Sequence, residues 1–220
     1  MKRLVVSMLL ILSMANSAPS TLGTNGLINM PVAMSIKYKE FDVGINWKTI
    51  QNINNQNRFQ MNYFANMGIF DGIEFGFIGT NIQEGVFLNL KYFMMSDKST
   101  YPLALAAGIN NISSRARSDL YLVLSKSFPN NLNGHFGFGS NIMATTIKAN
   151  VMFGIDILMN KYMTILADLM GSESSWNLSA GLRIKLAEDM LLNAYIEDIG
   201  NSTPDKATFT LGFSWHGLFQ

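Results

Sequence analysis

From about residue 41 to residue 215 the chain alternates apolar and polar residues in short runs, each followed by a polar turn, roughly a dozen times. Alternation with a period of two places apolar side chains on one face of a β-strand and polar side chains on the other. Beyond the N-terminus no apolar run is long enough for a membrane helix, although 48% of the residues are hydrophobic. Many two-faced strands without a long apolar segment predict a closed β-barrel that spans a membrane.

The alternation is clearest in residues 176–186, where Trp, Leu, Ala, Leu, Ile and Leu alternate with Asn, Ser, Gly, Arg and Lys. The same pattern recurs in residues 59–66, 147–158 and 208–215. A helix would spread residues of this spacing around its whole circumference. Two weaker runs, residues 119–128 and 162–169, are apolar on both faces. They predict either strands that pack against a plug or a different register.

We predict an all-β fold, a single antiparallel transmembrane β-barrel over residues 41–220 with about 12 strands, within a range of about 10–14. The strand centres lie near residues 45, 62, 76, 90, 106, 122, 138, 152, 166, 181, 193 and 211. Strands of about 9–12 residues suit a tilted crossing of the bilayer. An even number of strands places both ends of the barrel on the same side, which is periplasmic in bacterial barrels.

The exterior of this barrel is predicted to face lipid, because charged residues make up only 14% of the chain, against roughly 25% in soluble domains. The alternative is a soluble β-sandwich or lipocalin-like barrel, which would carry more Lys and Glu. With 16 basic and 15 acidic residues the net charge is +1, so no basic surface is available for nucleic acid. The absence of Cys from the sequence excludes disulfide staples and thiolate metal sites.

Residues 1–17 have the pattern of a secretory signal peptide. A basic start precedes an apolar core over residues 4–14, and Ala15-Asn16-Ser17 fits the small-x-small pattern before a cleavage point. A core of about 11 residues is too short to remain as an anchor across about 30 Å of hydrocarbon. We therefore expect export to the outer membrane of a Gram-negative-type bacterium, with outer-membrane lipid around the barrel.

Any function of such a barrel would reside in the polar face that lines its lumen. The lumen-lining candidates are Arg58, Glu74, Lys91, Lys148, Asp156, Arg183, Lys185 and Glu197. Asp42, Lys48, Asp119 and Asp168 are further inward-facing candidates, and in the whole set both signs of charge occur in similar number. These residues either pair into a charge network that fills the barrel or line a small water-filled pore, and the sequence leaves both interpretations open.

The sequence predicts neither enzymatic activity nor a bound cofactor or metal. A hydrolase site would need a nucleophile beside a base, and the chain has two histidines. His135 has no serine in a nucleophile-type turn nearby, and His216 lies beside aromatic residues at the C-terminal rim. The sequence shows no metal-ligand cluster, phosphate loop or calcium loop.

Residues 18–40 form a lead segment, called the lead below, that has the pattern of neither a clean strand nor a random tail. Its glycines permit turns, and Leu27, Ile28, Met30 and Val32 are apolar enough to be buried. We expect either a short plug that enters the barrel or an extra half-strand at the barrel seam.

The lead resembles the Gly-Leu-Thr-Gly-Leu-Ile-Asn-x-Pro-x-Ala motif of the YjbH-like proteins, a family of outer-membrane barrels. The matching positions are Gly23, Gly26, Leu27, Ile28, Asn29, Pro31 and Ala33. Looser matches cover residues 71–77, 90–92, 101–109 and 121–126. The resemblance implies a location in the outer membrane and a link to exopolysaccharide production or export, but no catalytic or ligand residues.

This resemblance makes a polysaccharide-linked role the first functional expectation, either as a narrow conduit or as an accessory scaffold. Polysaccharide or proteins of envelope biosynthesis are the partners it implies. Two alternatives remain from the sequence. One is a small-solute porin, and the other is a non-transporting structural or docking barrel of the cell envelope.

Overall fold

The computed structural model describes residues 18–51, 57–80, 85–96, 102–112, 114, 117–172, 175–199 and 207–219, without the side chains of residues 50, 51, 57 and 58. The predicted signal peptide, residues 1–17, lies outside the described residues. Within the described ranges no helix is long and apolar enough to cross a membrane.

The described chain folds into a closed barrel of twelve antiparallel strands. The strands are β1 (Glu40–Gln51), β2 (Asn57–Phe70), β3 (Ile73–Thr80), β4 (Val86–Met95), β5 (Ala104–Asn110), β6 (Ser118–Phe128), β7 (Leu132–Ile142), β8 (Ile147–Asn160), β9 (Met163–Ser172), β10 (Ser175–Lys185), β11 (Met190–Glu197) and β12 (Thr208–Leu218). Each predicted strand centre falls inside an observed strand, so the predicted fold class is confirmed.

Each strand pairs with the next one along the chain, and β1 closes the barrel against β12 with Glu40 opposite Leu218. We call the end at which β1 begins and β12 ends the terminal end, and the opposite end the distal end. Both chain ends of the barrel lie on one side, as the even number of strands requires.

The two faces of the strands follow the predicted alternation. On β10 the side chains of Leu178 and Leu182 are exposed, whereas Ser179 between them is buried. On β12 Phe209 and Trp215 are exposed, whereas Thr210 is buried. An apolar exterior around a polar interior is the reverse of a soluble barrel and matches a barrel that faces lipid.

The weaker runs owe their two apolar faces to the lead. On β6 Leu122 faces outward, whereas Tyr121 and Val123 face inward and belong to a buried cluster with Met30 and Ala33. On β9 the inward side chain of Leu166 packs in a second buried cluster, with Leu27, Ile28 and Val32. The register is regular from Ile165 to Gly171 of β9 and along β6, with one irregularity between Leu158 and Asn160 of β8. The inward apolar residues of these strands pack against the lead.

Candidate functional site

The lead occupies the lumen of the barrel. Ala18, Leu27, Ile28, Met30 and Ile36 are each at most 2% exposed. The hydrogen bonds of the lead reach inward-facing side chains of β2, β3, β4, β6, β9 and β10. A buried segment that bonds to inward faces on opposite sides of a closed barrel lies inside it.

Asp168 of β9 holds the middle of the lead. Its Oδ2 accepts hydrogen bonds from the backbone N–H groups of Ile28 at 3.0 Å, Asn29 at 2.7 Å and Met30 at 3.0 Å. Successive backbone N–H groups that converge on one oxygen form a concave anion site. Hydrogen bonds to an ionised acceptor are stronger than those between neutral groups. The Asp168 carboxylate therefore fixes the backbone of residues 28–30.

Arg183 of β10 holds the neighbouring part of the lead through backbone carbonyl groups, whereas Asp168 binds backbone N–H groups. Its Nη2 donates to the backbone oxygens of Pro19 at 3.3 Å and of Gly26 and Leu27 at 3.2 Å. Its Nε donates to Asn193 Oδ1 at 2.9 Å, which orients the guanidinium plane. One cation thus binds three carbonyl groups that the turns of the lead bring together.

A buried ion pair binds the backbone N–H and the backbone oxygen of Asn25. Glu74 of β3 and Lys91 of β4 lie opposite each other with 3.0 Å between Oε2 and Nζ, and their side chains are 1% and 0% exposed. Glu74 Oε1 accepts from the backbone N–H of Asn25 at 2.8 Å, and Lys91 Nζ donates to its backbone oxygen at 3.1 Å. A buried pair needs further hydrogen bonds to offset its lost hydration, and the lead supplies one to each partner.

Three residues of the lead motif shape its turns. Gly23 has a φ of 91°, in the region that favours glycine. Gly26 forms an isolated bridge with Pro31, and a Cβ on Gly26 would meet the carbonyl oxygen of Met30. The lead can fold back on itself here because position 26 carries no side chain.

Asn29, another residue of the motif, ties the lead to itself and to the barrel. Its Oδ1 accepts from Thr21 Oγ1 at 2.7 Å, and its Nδ2 donates to Ser179 Oγ of β10 at 3.1 Å. Together with its backbone bond to Asp168, these contacts use both ends of the amide. A hydrophobic residue here would lose all the side-chain contacts.

A chain of hydrogen-bonded side chains holds the last part of the lead. Ser125 Oγ accepts from the backbone N–H of Ala33 at 2.9 Å and lies 2.7 Å from His135 Nδ1. His135 Nε2 lies 2.8 Å from Asp156 Oδ1, and Asn133 donates to Asp156 Oδ2 at 2.8 Å. Ser, His and Asp are the residue types of a hydrolytic triad. Here the buried Ser125 hydroxyl contacts the lead. The absence of enzymatic activity stays a prediction.

The other predicted lumen residues lie towards the ends of the barrel. Lys148 is exposed near the distal end, and Lys185 is partly exposed near the terminal end. Glu197 is buried, and its Oε2 lies 3.0 Å from Lys48 Nζ. The side chain of Arg58 lies outside the described part of the structure. The buried members of the set thus form separate pairs, Glu74 with Lys91 beside the lead and Glu197 with Lys48 nearer the distal end.

Two cavities border the lead, each of about 30 Å³, which is room for about two water molecules. One is lined by Asp156, Thr164, Arg183, Leu27 and Val32. The other, towards the distal end, is lined by Asn110, Asp119, Asn141, Asn150 and Pro31. Neither has room for a sugar unit. In the described ranges no three His, Asp or Glu side chains lie close enough together to hold a metal ion.

The predicted inward-facing residues include Asp168 but not Ser125. Ser125 lies opposite His135 in the β6–β7 hairpin. A hairpin centred on Asn130 would have predicted this pair from the sequence. Asp168 lies 140 residues from Ile28 in the sequence, and no local pattern links the two.

No protein-family model and no curated protein matches the chain. Among solved structures, the KdgM porin aligns with a TM-score of 0.61 at 9% identity, covering 79% of this chain and 98% of that one. The KdgM porin in complex with disordered oligogalacturonate gives 0.60 at 10% identity, covering 80% and 98%. The outer membrane protein Omp33 of Acinetobacter baumannii gives 0.51 at 10% identity, covering 84% and 100%. At such identities the similarity concerns the fold, and this chain has the fold of outer-membrane porins.

Proposed function

We propose that the chain is an outer-membrane barrel of exopolysaccharide production or export, in which the lead is a plug that closes a narrow conduit until it is released. The observation that carries the proposal is the set of polar contacts from Asp168, Arg183, Glu74 and Lys91 to backbone groups of the lead. Such bonds are exchangeable with water or ligand, because each contributes a net of about 0.5–1.5 kcal/mol, or about 1.5–3 kcal/mol when one group is charged.

The porin fold, the apolar exterior and the predicted signal peptide together support a place in the outer membrane of a Gram-negative-type bacterium. The link to polysaccharide rests on the lead, whose motif residues shape its fold and its contacts. The KdgM complex shows that another barrel of this fold holds an oligosaccharide. Polysaccharide and proteins of envelope biosynthesis are the partners of the proposed role.

The occupied lumen separates this proposal from its two alternatives. A small-solute porin would be open at rest, whereas here the lead lies in the described lumen and the two cavities beside it measure about 30 Å³ each. A non-transporting scaffold would be closed in every state. Conduction after release of the lead is therefore the observation that distinguishes a conduit from a scaffold.

Conductance across planar bilayers tests the proposal. We expect the wild-type barrel to be silent and the full-length Asp168→Asn variant to show channel openings. The substitution removes the charge that accepts three backbone N–H groups, and a loss of about 1.4 kcal/mol already shifts the closed-to-open ratio tenfold. Asp189→Asn is the matched control, because Asp189 bonds to Trp215 at the terminal end.

The position of the lead can be followed in the same proteins. The sequence contains no Cys, and Ser20 is 1% exposed, so a Ser20→Cys chain reacts with a membrane-impermeant maleimide only when the lead leaves the lumen. A steadily conducting wild type would establish the porin alternative. A folded Asp168→Asn barrel that labels rapidly but never conducts would establish the scaffold and refute the conduit.

A further inference from the structure

Asparagine side chains recur on the inward face of the barrel. Seven buried asparagines face inward, namely Asn46, Asn62, Asn66, Asn89, Asn110, Asn133 and Asn193. The buried charges already have partners, since Glu74 faces Lys91, Glu197 faces Lys48 and Asp156 faces His135. Once the lead is released, the groups left to meet a ligand are therefore these amides and one charge of each sign, Arg183 and Asp168.

Cross-strand pairing arranges three of these amides and the partly exposed Asn141 into one row. We call Asn66, Asn89, Asn110 and Asn141 the amide track. Asn66 and Asn89 both lie opposite Gly76, from β2 and β4. Asn110 and Asn141 both lie opposite Asp119, from β5 and β7. Asn89 Oδ1 joins the two halves by accepting from the backbone N–H of Asn111 at 3.0 Å.

The amide track extends along the lumen from near the terminal end to the distal end. Direct cross-strand partners follow the tilt of the strands, so a row of them rises along a barrel. At the terminal end, Asn66 lies opposite Asp42, which is close to the start of β1. At the distal end, Asn141 lies opposite Lys148, which is the second residue of β8. The distal cavity is lined by Asn110 and Asn141 of the track.

The lead covers the track with the kind of groups that a sugar offers. Asn66 Nδ2 donates to the backbone oxygen of Gly23, and Asn89 Nδ2 donates to that of Leu22 at 3.0 Å. The Oδ1 atoms of Asn66 and Asn110 are buried and have no hydrogen-bond partner within the described part of the chain. A sugar hydroxyl can accept a hydrogen bond from an amide Nδ2 and donate one to an amide Oδ1, whereas a carboxylate can only accept.

Release of the lead would not turn the lumen into an anion site. It would free the cation Arg183 from three carbonyl groups and the anion Asp168 from three N–H groups. Lys91 would keep Glu74 at 3.0 Å. The rings of Tyr121 and Tyr195, which now pack in the clusters of the lead, would add apolar faces for a sugar ring.

We propose that the amide track binds an uncharged, hydroxyl-rich glycan chain in the place of the lead. This inference rests on the proposed function and names the class of its substrate. The glycan and the lead compete for the same amides, so a glycan that binds the track stabilises the state in which the lead is released.

Labelling of the full-length Ser20→Cys chain tests this competition. Maltohexaose is the uncharged probe, and hexagalacturonate, used at the same concentration, is the acidic probe. We expect maltohexaose to raise the rate of maleimide labelling about tenfold and hexagalacturonate to raise it less than about twofold, because a ligand shifts the equilibrium only by its differential affinity. Asn110→Ala should abolish the effect of maltohexaose. Asn62→Ala, a lumen amide outside the track, should preserve it.

The inference is overturned if hexagalacturonate acts as strongly as maltohexaose, if neither sugar changes the rate, or if Asn110→Ala leaves the effect intact. This outcome differs from failure of the conduit. If maltohexaose releases the lead but no variant conducts, the track binds glycan and the barrel is a scaffold. If Asp168→Asn conducts and no sugar alters labelling, the conduit stands without this substrate class.

Discussion

Lys91 carries an ammonium group into the middle of the lumen, where its side chain has 0% exposure. Glu74 lies 3.0 Å away, and the backbone oxygen of Asn25 accepts a second bond at 3.1 Å. Loss of one partner from such a pair costs about 3–5 kcal/mol, because the other charge stays buried without compensation. Lys37 and Glu40 form a 3.6 Å pair in which Lys37 is 62% exposed, and exposed pairs contribute about 0–1 kcal/mol.

We therefore expect Lys91→Met to lower the free energy of unfolding by about 3–5 kcal/mol, and Lys37→Met to lower it by less than about 1 kcal/mol. Urea unfolding in phospholipid vesicles, followed by tryptophan fluorescence, measures both. Adding Glu74→Gln to Lys91→Met should recover at least half of the loss, since no charge is then left unpaired. Equal losses for the two lysine variants would show that the buried pair does not stabilise the barrel.

At the scale of elements, the strands follow from local sequence. Period-two alternation depends only on neighbouring residues, so residues 147–158 and 176–186 indicated both the strands and the faces that the structure shows. The lead left one local trace, the inward apolar residues Tyr121, Val123 and Leu166. These residues break the alternation because they pack on a segment far away in the sequence.

The place of the lead could not be predicted, because a plug and a seam strand would both bury Leu27 and Ile28. The contacts that decide between them join distant positions, such as Met30 and Asp168, which are 138 residues apart. Periodicity alone predicts that Glu74, Lys91 and Arg183 are inward-facing charges. Their common role, binding the backbone of one segment, depends on the closed barrel.

The contact between the lead and the β6–β7 hairpin yields a prediction at this scale. Ser125→Ala leaves the buried N–H of Ala33 without its acceptor, which costs about 1–3 kcal/mol and shifts the lead towards release by about 5- to 150-fold. We expect the labelling rate of the Ser20→Cys chain to rise accordingly. Ser127→Ala, at an exposed position of the same strand, is the control. Unchanged labelling in both variants would mean that Ser125 does not hold the lead.

At the scale of the whole molecule, the barrel has an apolar exterior and a polar, filled interior. Large apolar side chains are exposed on strands throughout the barrel, whereas the amides and charges face inward. Exposed apolar area of this extent is stable only against lipid or another apolar surface. The lead completes the arrangement, since it bonds to inward polar groups that the bilayer cannot reach.

This arrangement predicts effects of different size for one substitution at two almost equally exposed positions. Leu122, at the middle of β6, is 42% exposed, and Ile112, beyond the end of β5 towards the distal end, is 43% exposed. Arg on the lipid face costs about 2–4 kcal/mol at the bilayer midplane and about 0–1 kcal/mol near the interface. Urea unfolding in vesicles should therefore show a large loss for Leu122→Arg and a small one for Ile112→Arg. If both variants unfold like the wild type and the protein stays soluble without detergent, the exterior faces water, and the membrane-spanning barrel is refuted.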